Sequence, residues 1–266
     1  MKVWTLEEVG GVLEDRSFTH GLGVFETMLA VDGRLVAPEL HFERLQAGCL
    51  RLGMAPPDES KILDSIDPVL SSLAAPRAKV RLMRTGGRGR IDDLDGDQPL
   101  TVLAVEAIAL PPESVGVITS PWPRNEGSPL AGVKCSSYAE NLVALDHVRK
   151  AGADELIFPN TRGNVSEAAT ANVFAVMDGT VVTPSLDCGC LPGTARRRVI
   201  DLATSLGLKV EEQSLPIAEA READELFLTS ATRGVVWVSD WDGRGFADRR
   251  VTERLRQAFD ESLKGE

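Results

Sequence analysis

Four cysteines in 266 residues, Cys49, Cys135, Cys188 and Cys190, are too few and too unevenly spaced for a disulfide framework, and they fit a reducing compartment. Histidine is equally scarce, with only His20, His41 and His147. Without a CxxC or HxxxH spacing, no metal centre is expected, even at Cys188-Gly189-Cys190. Nowhere do eighteen apolar residues run together, and the opening MKVWTLEEVGG lacks the apolar stretch of a signal peptide. The expectation is a cytoplasmic protein that does not enter a membrane. Excess positive charge is missing as well. The formal net charge of −11 argues against a grip on nucleic acid, despite the local cluster ARRRV at 195–199. Neither the GxSxG elbow nor the Walker GxxxxGK[ST] loop occurs, so two common catalytic frameworks drop out.

What is present is a chain 43% hydrophobic and 26% charged, enough apolar material for a sizeable core. Strand and helix signals alternate, so the class is α+β, mixed α and β. GVFETMLAVDGRLV reads as two strands around Asp32-Gly33, a dipeptide favoured in hairpins, and PELHFERLQAGCLRLG as a helix from Pro38 to Gly53. A helix over 58–74 and the strands AKVRLMR and PLTVLAVEAI complete a first domain over residues 1–110. The Pro-rich stretch 111–129 contains a short strand signal and otherwise reads as the connection. A second domain over 130–266 then holds a helix ending at Gly152, the strands DELIFP, ANVFAVMDG and TVVTPS, the helix in LPGTARRRVIDLATSLG, the strand pair in DELFLTSATRGVVWV and a C-terminal amphipathic helix.

Several residues in this frame carry chemistry. GNVSEAATANVF places Glu167 among Ala, Thr, Ser and Val, and a carboxylate taken out of water needs a cationic partner. Lys134, in SPLAGVKCSSYAENL, stands among small or uncharged residues just before a helix. A solvated lysine fits that pattern, but a partly desolvated one loses its proton more easily and can form a Schiff base with an aldehyde. Pro192-Gly193-Thr194-Ala195-Arg196 opens a helix with small residues and a hydroxyl, which is either an ordinary cap or a seat for phosphate. The turn LTSATRG at 228–234 offers further hydroxyls. Arg44, in HFERL, either reaches a phosphate oxygen or pairs with a nearby acid. A Schiff-base lysine, phosphate anchors and a carboxylate seeking a cation together point to pyridoxal 5′-phosphate, whose protonated ring nitrogen would be that cation.

These segments resemble the class IV, or fold type IV, pyridoxal phosphate enzymes, from HGLGVFET and HFERL through AGVKCSSYAENLVA, VSEAATANVF and LPGTAR to DELFLTSATRGV. The group includes branched-chain aminotransferases, D-amino acid aminotransferases and 4-amino-4-deoxychorismate lyases. The resemblance implies a two-domain fold with the cofactor in the cleft between domains, and a homodimer acting on a small acidic substrate. It implies Lys134 as the Schiff-base lysine and proton shuttle, Glu167 at the pyridine nitrogen and Arg44 at the phosphate. Thr194 and Ala195, with Ala231 and Thr232, would complete the phosphate cup.

Within the group, three places resemble the lyase. Thr27, in VFET, stands where lyases carry a threonine, although a strand threonine needs no catalytic reason. The loop RTGGRGR at 84–90 is similar to the lyases' RGxGGRGY but one residue shorter, making Arg88 the natural carboxylate clamp, with Arg84 or Arg90 able to substitute. Tyr138 follows Lys134 by four residues, as in lyase-like members, and its phenol could bond the cofactor or a neighbouring main chain. Phe25 stands where D-amino acid aminotransferases show a tyrosine. The expected activity is therefore 4-amino-4-deoxychorismate lyase, a step toward folate. An aminotransferase of branched-chain or D-amino acids with 2-oxoglutarate is the alternative, and a non-catalytic binding protein the reading from another class. Cys135, beside Lys134, is expected to be a packing residue.

Overall fold

The computed structural model describes residues 13–92 and 96–263. The chain divides into two compact units, residues 1–108 with 133–138 and residues 109–132 with 139–266.

The first unit begins with a one-turn helix α1 (Arg16–His20), capped by Asp15, whose carboxylate accepts from the Ser17 N–H. Its sheet contains β1 (Gly23–Val31), β2 (Arg34–Leu35), β3 (Arg77–Thr85) and β4 (Thr101–Ala107) in the order β2-β1-β3-β4, antiparallel throughout. Asp32 and Gly33 both take positive φ, 47° and 81°, and pair Val31 with Arg34 as the tight hairpin expected from the sequence. Helix α2 (Pro38–Arg51) starts with a proline in its first turn, where the missing N–H is no loss. Helix α3 (Glu59–Leu73) starts at Asp58, which accepts from the N–H groups of Ser60 and Lys61.

Strand residues alternate between faces, so Val24, Glu26, Met28 and Ala30 share one side of β1. There the apolar members pack with Val80 and Leu82 of β3, Phe42, Leu45 and Cys49 of α2, and Ile62, Ile66 and Leu70 of α3. Each large apolar side chain so buried contributes about 1.5–3 kcal/mol. Phe25, Thr27 and Leu29 point to the other side. Against the start of β1 lies the segment 133–138. The Phe25 N–H donates to the Lys134 carbonyl at 2.9 Å and the Ser136 N–H to the Gly23 carbonyl at 2.8 Å, while Cys135 pairs with Val24 and is buried.

The second unit is built on a nine-stranded sheet. Its strands are β5 (Ser114–Thr119), β6 (Glu155–Pro159), β7 (Val165–Ala168), β8 (Asn172–Met177), β9 (Thr180–Pro184), β10 (Val210–Gln213), β11 (Glu225–Ser230), β12 (Gly234–Trp241) and β13 (Arg244–Gly245). The order is β10-β9-β8-β11-β12-β5-β6-β7, with β13 on β12. The helices are α4 (Ala139–Ala151), α5 (Thr194–Ser205), α6 (Ile217–Arg221) and α7 (Arg250–Ser262). The stretch expected as a connection, 111–129, supplies β5, an interior strand running parallel to both β12 and β6. Its valines explain this: Val115 and Val117 are buried in the same core as Ile157, Val173, Leu226, Val238 and Trp241. Among the described residues no helix is long and apolar enough to cross a membrane.

Candidate functional site

In the first unit, chemistry gathers on the Phe25 face of β1. Lys134 Nζ lies 4.4 Å from the centroid of the Phe25 ring, and the guanidinium carbon of Arg81 lies 4.3 Å from the same centroid. Tyr138 meets that ring edge-on at 5.2 Å and 87°. Thr27 is two residues along β1, hence on the same face, and is paired in register with Arg81. An amine, a phenol and a guanidinium thus surround one apolar ring, with a hydroxyl on the same strand face. Such a set can hold an acidic molecule and move protons on it. Arg81 was not among the sequence candidates. Its signal was available, since Arg81 follows Lys79 with the same alternation that puts Val80 and Leu82 in the core.

The three arginines proposed from the 84–90 loop fare differently. Arg84 is tied down: its Nε donates to the Ala55 carbonyl and its Nη1 to the Pro99 carbonyl and Thr101 Oγ1, each at 3.1 Å. It lies on the strand face shared by Val80 and Leu82, where binding a substrate carboxylate would mean giving up these bonds. These bonds hold Arg84 in place on that face. Arg88 is half exposed, with Nε 3.9 Å from Glu14, and its backbone pairs with Asp97. Arg90 is exposed and pairs with Asp92. The loop itself is held by buried Arg16, which donates to the Gly86 carbonyl, and by Ser17 Oγ, which accepts from the Gly86 N–H.

Of the two roles open to Arg44, the structure shows the pairing with an acid. That acid is Glu26, on the core face of β1 and 1% exposed. Arg44 Nε donates to Oε1 at 2.8 Å and Nη2 to Oε2 at 2.6 Å, while His41 Nδ1 donates to Oε2 at 2.6 Å. Burial pushes the Glu26 carboxyl up, but Arg44 and His41 outweigh it and hold it at about 2.

In the second unit, Glu167 stands on β7 opposite Phe158 of β6. Its side chain is 15% exposed; Oε2 accepts from the Leu191 N–H at 2.9 Å, and Oε1 lies 3.4 Å from Arg124 Nη2. The cation that the sequence demanded beside Glu167 is, on the protein's side, Arg124. This residue sits in the Pro-rich stretch 111–129 and drew no notice there. The Leu191 carbonyl in turn accepts from Asn172 Nδ2 at 2.8 Å. Asn172 is paired across the ladder with Thr229, near the end of β11, from which the turn with Ala231 and Thr232 leaves. Its Oδ1 lies against Gly193, the residue that caps α5, so closely that a Cβ there would come within 2.0 Å. The strand that carries the 231–232 turn is thereby registered against the entry to α5, where Thr194 and Ala195 are buried in the first helical turn. Thr229 Oγ1 is buried with no hydrogen-bond partner among the described residues.

The cysteines take no visible part. Burial, with the charge of Glu167 adding to it, pushes the Cys190 thiol up to about 12.

A family model for Amino-transferase class IV matches residues 23–241. A provisionally named branched-chain-amino-acid aminotransferase of Methanocaldococcus jannaschii is 31% identical over 258 residues, spanning 92% of this chain and 88% of that protein. Among solved structures, a provisionally named 4-amino-4-deoxychorismate lyase of Legionella pneumophila superposes with a TM-score of 0.89 at 25% identity over 95% of each chain. A hypothetical aminotransferase of Mycobacterium tuberculosis, in its PLP-bound form, shares the fold with a TM-score of 0.85 at 24% identity, over 100% of this chain and 94% of the other. The chain belongs to the class IV aminotransferases, the pyridoxal-phosphate-dependent enzymes of fold type IV.

Proposed function

We propose that this enzyme is a 4-amino-4-deoxychorismate lyase, forming 4-aminobenzoate and pyruvate, and that it acts as a cytoplasmic homodimer. The observation that carries this reading is Thr27, a hydroxyl on the strand face where Lys134 Nζ also lies, paired in register with Arg81.

The residues fit the cofactor. The entry to α5 and the 231–232 turn offer backbone N–H groups and the hydroxyls of Thr194 and Thr232, a neutral donor set of the kind a phosphate dianion takes. The Thr229 hydroxyl, near the end of the strand that leads into this turn, is buried without a hydrogen-bond partner among the described residues, and at Gly193 the backbone approaches Asn172 too closely for a Cβ. Thr194, Ala195, Ala231 and Thr232 are therefore assigned to the phosphate. Arg44, held by Glu26, is assigned to it as well, Glu167 to the ring nitrogen and Tyr138 to the cofactor's polar edge. Bound, pyridoxal phosphate supplies an aldehyde for amines and a ring that withdraws electrons from the neighbouring carbon.

In this reading Lys134 takes the proton from the amine-bearing ring carbon of the substrate. Glu167 keeps the ring nitrogen protonated, so that negative charge arising at that carbon has somewhere to go. Thr27 passes a proton to the departing enolpyruvyl group, which leaves as pyruvate while the substrate ring becomes aromatic. Arg81 and Arg88 take the substrate carboxylates, with Arg90 at the loop's outer end.

A second reading, an aminotransferase of branched-chain or D-amino acids with 2-oxoglutarate, is favoured by Arg81. A guanidinium sharing the Phe25 ring with the lysine suits the carboxylate of an amino acid held at that lysine. Incubation with aminodeoxychorismate, following 4-aminobenzoate and pyruvate, separates the two readings. Both products are expected in equal amounts. Their absence, together with amino transfer to 2-oxoglutarate, overturns the lyase in favour of the aminotransferase.

A further inference from the structure

We infer that Arg124 is a positioning residue for Glu167, fixing the carboxylate's orientation and supplying the fixed positive charge beside it. The inference rests on the proposed role of Glu167 at the cofactor ring and adds a residue to it.

The geometry begins with the backbone. Arg124 follows Pro121 and Pro123, and its N–H donates to the Pro159 carbonyl at 2.7 Å, which anchors the residue alongside β6. The side chain then lies over Phe158, with the guanidinium carbon 4.2 Å from a ring that is fully buried. Phe158 is the residue that faces Glu167 in the β6–β7 ladder. One ring thus serves as the platform that holds the guanidinium at the carboxylate's level. Nη2 lies 3.4 Å from Glu167 Oε1, and Nη1 donates to Glu140 Oε2 at 2.5 Å and to Asn141 Oδ1 at 3.4 Å. Asn141 donates its own amide to the Ala169 carbonyl at 2.6 Å, two residues beyond Glu167 in the chain.

The chemistry of this arrangement is specific. Only 13% of the Arg124 side chain is exposed, and its Nε is buried with no hydrogen-bond partner among the described residues. Burying a donor without an acceptor is unfavourable, so this arginine is not held for the completeness of its bonds. Its working ends face two carboxylates. Glu140 is half exposed, and its pairing is screened by water; Glu167 is shielded, so the guanidinium 3.4 Å away acts on it with little screening. With the Leu191 N–H on Oε2 and Arg124 on Oε1, both oxygens of Glu167 are fixed from the protein side, and rotation of the carboxylate is blocked. A ring nitrogen therefore meets a carboxylate already oriented by the protein.

The test combines Arg124→Gln, Arg124→Lys, Glu167→Gln and the double variant Arg124→Gln/Glu167→Gln, each reconstituted with pyridoxal phosphate. Cofactor affinity is measured by titration of the visible band, and turnover is measured alongside. Arg124→Gln is expected to lower turnover about tenfold or more and to weaken the cofactor, with Arg124→Lys recovering part of both. Because Arg124 acts through Glu167, the double variant is expected to be no worse than Glu167→Gln alone. Glu140→Gln removes the other carboxylate on Arg124 and serves as the structural control; turnover within about twofold of the parent is expected. Equal losses in Arg124→Gln and Glu140→Gln, or losses that multiply in the double variant, overturn the inference and leave the cofactor reading intact. A parent protein that stays colourless with pyridoxal phosphate overturns the cofactor reading and the inference with it.

Discussion

At the scale of single residues, the Glu26–Arg44–His41 cluster shows how a charge can belong to a core. Glu26 occupies the same strand face as Val24 and Met28, and a hydrophobic side chain would be the ordinary choice there. Its folded-state value of about 2 lies below the ordinary 4.5, so it contributes stability above about pH 4.5 and loses it as pH falls toward 2. The shift corresponds to about 3 kcal/mol at neutral pH. Urea denaturation at pH 7 and pH 3 is expected to show this drop, and Glu26→Gln to remove it while destabilising the pH 7 protein by about 3 kcal/mol, because Arg44 is left without its counter-charge. Glu167 calls for a different measurement. Glu167→Ala is expected to cut turnover far more than it weakens the phosphate end of cofactor binding, and unchanged turnover would count against its place at the ring. Lys134→Ala is expected to lose the visible absorption band of the reconstituted enzyme.

Legibility at this scale was uneven for a physical reason. Lys134, Glu167 and Thr194 stand in short segments whose local composition already says something, a lone charge among small residues or a hydroxyl at a helix start. Glu26 and Arg124 acquire meaning only from partners far along the chain: Arg44 is 18 residues from Glu26, and the Glu167 that faces Arg124 lies on a strand beyond an intervening helix. Arg84 shows the converse. It shares a loop motif with Arg88 and Arg90, but strand alternation turns it toward the backbone carbonyls of Ala55 and Pro99.

At the scale of elements, the entry to α5 is the most constrained. A methyl group at Gly193 would collide with Asn172 Oδ1 and push the helix start away from the β11–β12 turn. Gly193→Ala is expected to weaken cofactor binding by about tenfold or more, measured by titration, with little change in the far-ultraviolet circular dichroism. Helix α7 shows a second kind of start. Buried Glu225, on β11, accepts from the N–H groups of Val251 and Thr252 and from Thr252 Oγ1, so a strand residue caps a helix 25 positions later. Glu225→Ala is expected to lower stability by about 2 kcal/mol by chemical denaturation, since it strips buried donors of their acceptor. Elements bounded by glycine, proline or a capping aspartate, such as α2, α3 and the Asp32-Gly33 hairpin, were readable in advance. The short ones were not. Strand β7 is four residues in a run of small side chains, and β10 is an edge strand made of Val210, two glutamates and a glutamine, with no alternation to betray it. Strand β5 is different: its short strand signal was legible, since Val115 and Val117 carry the two-residue period, but the prolines around it gave the whole stretch the look of a connection.

At the scale of the whole molecule, chain order and spatial order part company at residues 133–138. They follow the stretch expected as a linker yet belong with the first 108 residues, where they satisfy the backbone of Gly23 and Phe25. No linear reading could divide the chain at that point, because the deciding contacts are hydrogen bonds between segments 110 positions apart. A fragment ending at residue 110 would leave those strand groups to water and is expected to unfold at lower urea concentration than the corresponding unit in the full chain, as followed by tyrosine-independent far-ultraviolet signals.

The pairing of Cys135 with Val24 also limits how the sequence can change in length. Upstream, around 125–130, the chain is a series of turns, and an added or lost residue there can be absorbed before the pairing begins. Between 133 and 136 it cannot. One inserted residue would shift this bridge by a step and turn Lys134 away from the Phe25 ring. The spacing from Lys134 to Ser136 is thus expected to tolerate substitution far better than insertion or deletion.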